Sequence, residues 1–272
     1  MTESEICSLV EGNEARAYVA LVESASSGVQ AQCDLSVRRV GGAYAFVAGG
    51  VRDSLLLNRV IGLGVWQSST QAHVEELDDL YRAHGVETYA AEVAPVGVTG
   101  LSLQALQEMG FVPFKQTTMM YRDTAIPLTA VSSLVAREVN EAFADDFAGT
   151  CCSMFKFSDP FPDLLRNSFR RPDFKHWMAF DDDRPVAAAM TVEFEEGTAW
   201  IGWVCTLPSH RGRGAQTSLA AAQLRGCIAR GVNCVTLEAA TGTKKRPSQS
   251  LRNYARLGWK AAYDRLILLK RV

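Results

Sequence analysis

The apolar stretch Trp200-Ile-Gly-Trp-Val-Cys205 runs into Leu207-Pro208, then Arg211-Gly212-Arg213-Gly214, and then an Ala-, Leu- and Gln-rich segment. Few folds accommodate a strand that stops at proline, turns through two glycines flanked by arginines and re-enters as a long helix. Glycines let the backbone turn tightly and bring its N–H groups close to a ligand. The first turn of the following helix adds N–H donors and a partial positive charge, and arginines suit phosphate oxygens. The segment therefore predicts a pyrophosphate cradle at a strand–helix junction. It has neither the G-x-x-x-x-G-K-[ST] of a P-loop nor the G-x-G-x-x-G of a dinucleotide fold.

Charge is segregated in the same sense. The 272 residues sum to −2, but residues 1–125 carry 8 basic and 15 acidic side chains and residues 126–272 carry 20 and 15. From Cys205 to Val272 there are 13 basic residues against only Glu238 and Asp264, a local +11. An anion is expected to meet this C-terminal quarter. No basic motif of the nucleic-acid-binding classes accompanies it, so nucleic acid is not the expected partner.

Hydrophobic residues at 47% supply a sizeable core, and the length suits two domains. No apolar run reaches the ~18–20 residues of a membrane span. The N-terminal MTESEICSLVEGNEAR is acidic and polar, unlike a signal peptide, which favours the cytoplasm. The seven cysteines lack C-x-x-C spacing and read as free thiols, and His73, His84, His176 and His210 form no ligand cluster, so no metal is expected.

Two segments follow the same order of elements. In the first, a helix over 12–26 precedes strands at 43–48 and 55–65, a helix over 70–84, a strand at 86–93, a helix near 101–109 and an extended stretch to Arg122. In the second, a strand at 134–139 leads to helices between 141 and 170 and a hairpin of 176–180 and 185–194. The strand 199–206, helix 214–230, strand 232–239, a short helix from Pro247 and a closing strand at 266–269 complete it. Ile126-Pro127 and a Ser/Thr/Ala-rich stretch mark the junction, which predicts domains at 1–125 and 126–272.

The second segment resembles the GNAT superfamily of N-acetyltransferases. Pro208, Arg211, Gly212 and Gly214 match its Pro-x-x-Arg-Gly-x-Gly element, while Gln216 stands where the pattern has Gly or Ala. Tyr254-Ala-Arg-Leu-Gly258-Trp259 matches its Tyr-x-x-x-Gly-Phe element with one aromatic exchanged. The resemblance covers roughly 134–272. It implies an α/β (α+β) protein of two tandem GNAT-like domains, each a mixed, mostly antiparallel sheet flanked by helices. The first domain is degenerate, because Trp66-Gln67-Ser68-Ser69-Thr70 has no glycine pair and no arginine.

The implied activity is acyl-CoA-dependent N-acyl transfer, from acetyl-CoA or another acyl-CoA to a primary amine of a small molecule, by a monomer or homodimer. The pyrophosphate would lie on Arg211, Gly212, Arg213, Gly214, Ala215 and Gln216. The pantetheine arm would pair with Val204, Cys205 and Thr206, with Asn253 nearby. Lys244, Lys245, Arg246, Arg252 and Arg256 are candidates for the 3′-phosphate, or a solvated basic face. Tyr254 is the candidate acid for the departing thiolate and also fits a packing role beside Leu251 and Leu257. Glu238 is the candidate base or a strand-end residue facing solvent, with Glu193 and Glu195 behind it. Cys205 reads as inert core rather than a nucleophile. The aromatic, Asp-interleaved stretch from Glu141 to Phe174 would shape the acceptor pocket. A non-catalytic CoA-binding sensor is the alternative; tRNA-dependent aminoacyl transfer is disfavoured by the presence of the CoA loop.

Overall fold

The computed structural model describes residues 1–95, 100–127, 134–243 and 245–272. The chain divides into two compact units: Met1–Val22, Ser27–Met119 and Ala262–Val272 form unit 1, and Glu23–Ser26 with Met120–Ala261 form unit 2. In mid-chain the change from one unit to the other falls at Met119/Met120, and residues 262–272 return to unit 1. The strand β5 (Phe111–Asp123) begins in unit 1 and ends in unit 2, and β11 (Lys260–Arg271) runs almost wholly in unit 1.

Unit 1 opens with helix α1 (Glu3–Glu23), longer than expected because Cys7 and Val10 extend its buried side, and the short α2 (Ser27–Cys33). Its sheet runs β1 (Leu35–Val40), β2 (Ala43–Ala48), β3 (Arg59–Ile61), β4 (Thr88–Val93), β11. β3 and β4 are parallel, and β11 lies antiparallel on β4, with Leu266 opposite Val93 and Arg271 opposite Thr88. The expected strand over 55–65 shrinks to three residues. Asn58 turns the chain before it by donating to Val51 O and Arg52 O and accepting from Ala48 N, and Gly62 and Gly64 take left-handed conformations after it. Helices α3 (Gln71–Ala83) and α4 (Leu103–Glu108) follow β3 and β4. Val74, Leu77 and Tyr81 of α3 share a core with Val60, Tyr89, Phe111 and Leu268.

Unit 2 begins its sheet with β6 (Val135–Val139), β7 (Phe174–Asp181), β8 (Arg184–Phe194) and β9 (Thr198–Thr206), each antiparallel to the last. β10 (Cys234–Ala240) is parallel to β9, with the end of β5 beyond it. Helices α5 (Ala144–Phe155) and α6 (Phe161–Asn167) precede β7, α7 (Ala215–Ala229) joins β9 to β10, and α8 (Gln249–Arg256) follows β10. Ala220, Leu224 and Cys227 of α7 pack with Ile201, Val235, Leu237, Tyr254 and Trp259 in one core. Each unit is therefore a mixed, mostly antiparallel sheet flanked by helices, with one parallel pair joined by a crossover helix. Among the described residues no helix is long and apolar enough to cross a membrane.

Candidate active site

The parallel ladder of unit 2 stops short. Cys234 lies opposite Thr198 and Leu237 opposite Ile201, after which β9 continues to Thr206 on β8. At this point β9 is bulged: its register on β8 steps from Gly202/Met190 to Cys205/Ala188, and Trp203 has φ 56°. A left-handed indole residue costs about 1–3 kcal/mol and needs surrounding structure to hold it. Phe155, Phe157 and Phe161 supply that support, with ring centroids 6.0, 5.3 and 6.0 Å from Trp203. A bulge re-aims the peptide groups of the strand away from the regular ladder. The end of β9, the loop after it, the first turn of α7, the end of α5 and α8 line a cleft of about 730 Å³.

Val204, Cys205 and Thr206 line this cleft, as do Arg211, Gly212, Gly214, Ala215, Gln216 and Asn253. These sequence-predicted residues therefore come together in one place. Gly212 (φ 79°) and Gly214 (φ 84°) make the left-handed turns that aim the loop into α7. A Cβ on Gly212 would meet nothing within 4 Å, so that face of the loop is open. Gly214 is the N-cap of α7, and no side chain caps the first turn, which leaves the helix N-terminus facing the cleft without a capping oxygen.

Arg213 is not part of the lining. Its guanidinium donates twice to Asp181, at 2.7 and 2.8 Å, and His210 Nε2 lies 3.2 Å from the same carboxylate. Hydrogen bonding from Arg213 holds the Asp181 carboxyl below its usual range. Asp181, at the end of β7, thus fastens the loop from outside while Arg211 faces the cleft. Arg256 also lines the cleft; Lys245 and Arg246 are exposed outside it, Arg252 donates to Gln249 Oε1 at 2.6 Å, and Lys244 lies outside the described residues.

Tyr254 and Glu238 do not line the cleft either. Tyr254 is 2% exposed, packs edge-on against Trp259 at 5.2 Å, and burial pushes its phenol up to about 12, partly offset by a hydrogen bond from Gln216. Glu238 is half-buried and is the first residue of β10 beyond the ladder. The buried Cys205 Sγ sits 4.0 Å from Cys151 Sγ, and burial pushes the Cys151 thiol well up, so Cys151 is not an activated nucleophile.

Sequence reasoning missed Met154, His210, Thr217, Gln249 and Ser250 as lining residues. His210 and Thr217 flank the glycine loop and were within reach of it; Met154 comes from α5 and depends on packing that no local pattern reveals. A helix start without a side-chain cap, the glycine loop, Arg211, Arg256 and a cleft of about 730 Å³ fit the phosphates and extended arm of an acyl-CoA. Among the described residues no group of three or more His, Cys, Asp and Glu is arranged to hold a metal ion.

The equivalent junction of unit 1 is built differently. β3 and β4 also part after Ile61 and Glu92. A Cβ on Gly62 would lie 2.1 Å from the Trp66 ring, which fills the opening and packs edge-on to Tyr44 at 5.7 Å. The N-terminus of α3 is closed by a capping box: Thr70 accepts from His73 N–H and the His73 ring accepts from Thr70 N–H. Beneath it, Glu92 meets Arg59 at 2.6 Å and Arg265 at 2.9 Å, and Arg265 reaches Glu14 at 2.6 Å and Glu11 at 3.4 Å. Burial opposes the charge of Glu92, but Arg265 and Arg59 outweigh it and hold its carboxyl low, while burial pushes Glu11 up.

Residues 137–259 match the family described as the acetyltransferase (GNAT) family. This segment is a GNAT domain. A search of curated proteins gives no match to the chain. Among solved structures, a GCN5-related N-acetyltransferase from Kribbella flavida is 16% identical with a TM-score of 0.67, covering 98% of this chain and 95% of its own. A GCN5-related N-acetyltransferase from Sphaerobacter thermophilus is 18% identical over 78% and 71%, TM-score 0.59. A tandem GNAT protein from the clavulanic acid biosynthesis pathway is 17% identical over 74% and 69%, TM-score 0.53. At these identities the likeness is one of fold, and in the first case it extends over nearly the whole chain.

Proposed function

We propose that the chain is an acyl-CoA-dependent N-acyltransferase that moves acetyl from acetyl-CoA to a primary amine of a small molecule by direct transfer. GNAT family membership and fold support acyl-CoA-dependent acyl transfer. The observation that carries the reading is the uncapped N-terminus of α7, reached through Gly212 and Gly214, at the mouth of the cleft where β9 leaves β10.

Bound acetyl-CoA supplies an activated thioester. The first-turn N–H groups of α7 and Arg211 would hold its pyrophosphate, and Arg256 its 3′-phosphate. Backbone groups of Val204–Thr206 would pair with the pantetheine amides, and an N–H near Val204 or Cys205 would stabilise developing negative charge on the carbonyl oxygen. Glu238 accepts the amine proton directly or through water, and Tyr254 donates a proton toward the sulfur. Arg213 serves by fastening the loop to Asp181.

A second reading, acyl-CoA binding without turnover, draws support from Tyr254 and Glu238 lying outside the lining. Purified protein with acetyl-CoA and a panel of amines separates the two by CoA release. Binding with neither transfer nor hydrolysis favours the sensor. In Arg211→Ala we expect acetyl-CoA affinity to fall about 10- to 100-fold, as for a lost charge-assisted hydrogen bond; unchanged affinity sinks both readings.

A further inference from the structure

Beside the glycine loop and the helix starts, the cleft is lined by Met154 and Phe155, the last two residues of α5. Phe155 is 39% exposed. One exposed ring means little by itself; what stands behind it gives it a meaning. Helix α5 stops because Lys156 takes a left-handed conformation (φ 59°), and Phe157 N–H returns to Cys152 O at 3.0 Å. This turn folds Phe157 back against Phe155, with ring centroids 5.2 Å apart and planes 20° from parallel. Phe161, which opens α6, stacks on Phe157 at 4.3 Å and 21°. The rings form a near-parallel column graded in exposure. Phe161 is buried, Phe157 is half-buried, and Phe155 is open at the cleft.

The column stands at a chemically marked point of β9. The indole of Trp203, the left-handed residue of the bulge, is edge-on to both Phe155 and Phe157. Val204, next in the chain, begins the backbone assigned above to the pantetheine arm and the thioester carbonyl. Aromatic rings favour offset-parallel or edge-on partners, so a column that ends at a cleft offers a place to one more ring. Acetyl is too small to extend it. The adenine of an acyl-CoA lies on the far side of the pyrophosphate from the thioester, away from the part of the ligand that Val204 would meet. The ring that meets Phe155 therefore belongs to the acceptor.

We propose that the acceptor is an amine bearing an aromatic ring, and that Phe155 selects it by taking this ring as the next member of the Phe161–Phe157–Phe155 column. The proposal rests on the acyltransferase reading and gives that reading an acceptor class.

The test compares 2-phenylethylamine with 2-cyclohexylethylamine, which has the same length, amino group and similar apolar bulk but no planar ring. Both are assayed with acetyl-CoA in wild type, Phe155→Leu and Phe155→Tyr. In wild type, kcat/KM for the aromatic amine exceeds that for the saturated one by about 3- to 10-fold, the scale of one aromatic pair. Phe155→Leu keeps an apolar side chain and brings the ratio below about 1.5-fold, whereas Phe155→Tyr restores it. A purely structural role would lower both amines alike and leave the ratio where it was. Calorimetry of the two amines into wild type saturated with CoA shows the same preference in Kd, without chemistry. A further arm pairs benzoyl-CoA with ethylamine, moving the ring from the acceptor to the acyl group.

Equal kcat/KM for the two amines in wild type, an unaltered ratio in Phe155→Leu, or a Phe155→Leu effect seen only with benzoyl-CoA would each overturn the proposal. A wild type that binds acetyl-CoA but acylates no amine removes the acyltransferase reading, and the acceptor class with it. A wild type that acylates amines without regard to the ring removes the acceptor class alone.

Discussion

The helices α3 and α7 follow corresponding strands in the two units, and their N-termini are finished in opposite ways. At α7, glycine holds the N-cap and no side chain closes the first turn. At α3, Thr70 and His73 satisfy each other's backbone donors, and Trp66 fills the space beside Gly62. The difference extends beneath the helices. At the last rung of the parallel ladder unit 2 places apolar Leu237 against Ile201, whereas unit 1 places Glu92 against Ile61, neutralised by Arg59 and Arg265. One fold thus yields a helix start without a side-chain cap beside a cleft in unit 2, and a junction closed by side chains in unit 1.

The largest effect should come from breaking the closed junction. Arg265→Met leaves Glu11, Glu14 and Glu92 buried with one guanidinium fewer, and stability to urea should fall by about 3–5 kcal/mol. The same substitution at exposed Arg211 should stay within about 0.5 kcal/mol. A small loss at Arg265 would mean that the buried cluster is not what secures β11 in unit 1.

Next in size is the conversion of the open junction into a closed one. Gly214→Asp brings a carboxylate to the N-cap of α7, where it competes with phosphate for the same N–H groups and repels it. Calorimetry should show acetyl-CoA binding weakened about 100-fold, at the upper end of a charged hydrogen-bond loss. Retained affinity would show that the phosphates do not use this turn.

The smallest effect is expected from opening α3. Thr70→Ala with His73→Ala should lower stability by about 1 kcal/mol, as for a lost cap. Acetyl-CoA stoichiometry should stay at one per chain, because Trp66 still occupies the space beside Gly62. A second equivalent of bound ligand would show that capping alone had kept unit 1 from binding.

How much of this was legible depended on how far apart the interacting residues are in the chain. The loop from Pro208 to Gly214, the helix after it and the strand before it are contiguous, so local rules located them. The pairing of β1 with β2 and the reduction of 55–65 to three strand residues were not legible. Asn58 reaching back to residues 48–52 overrides the apolar pattern there. The likeness of the two segments was readable from element order, but the place of β11 in unit 1 was not, because it pairs with β4, far back in the chain.

The segregation of charge in the sequence coincides with the glycine loop that lines the cleft, because Arg211, Gly212 and Gly214 are neighbours in the chain. Tertiary structure decided where the rest of that charge goes. Arg265, Lys270 and Arg271, counted in the +11 of the C-terminal quarter, lie in unit 1, where Arg265 is fully buried among glutamates. By unit, the balance is 10 basic to 14 acidic residues in the first and 18 to 16 in the second. Electrostatic work depends on distance and dielectric rather than on position along the chain. For that reason the sequence by itself determined the glycine turn between strand and helix, and only the fold could assign Arg265 to a buried core, Arg213 to Asp181 and Gln216 to α8.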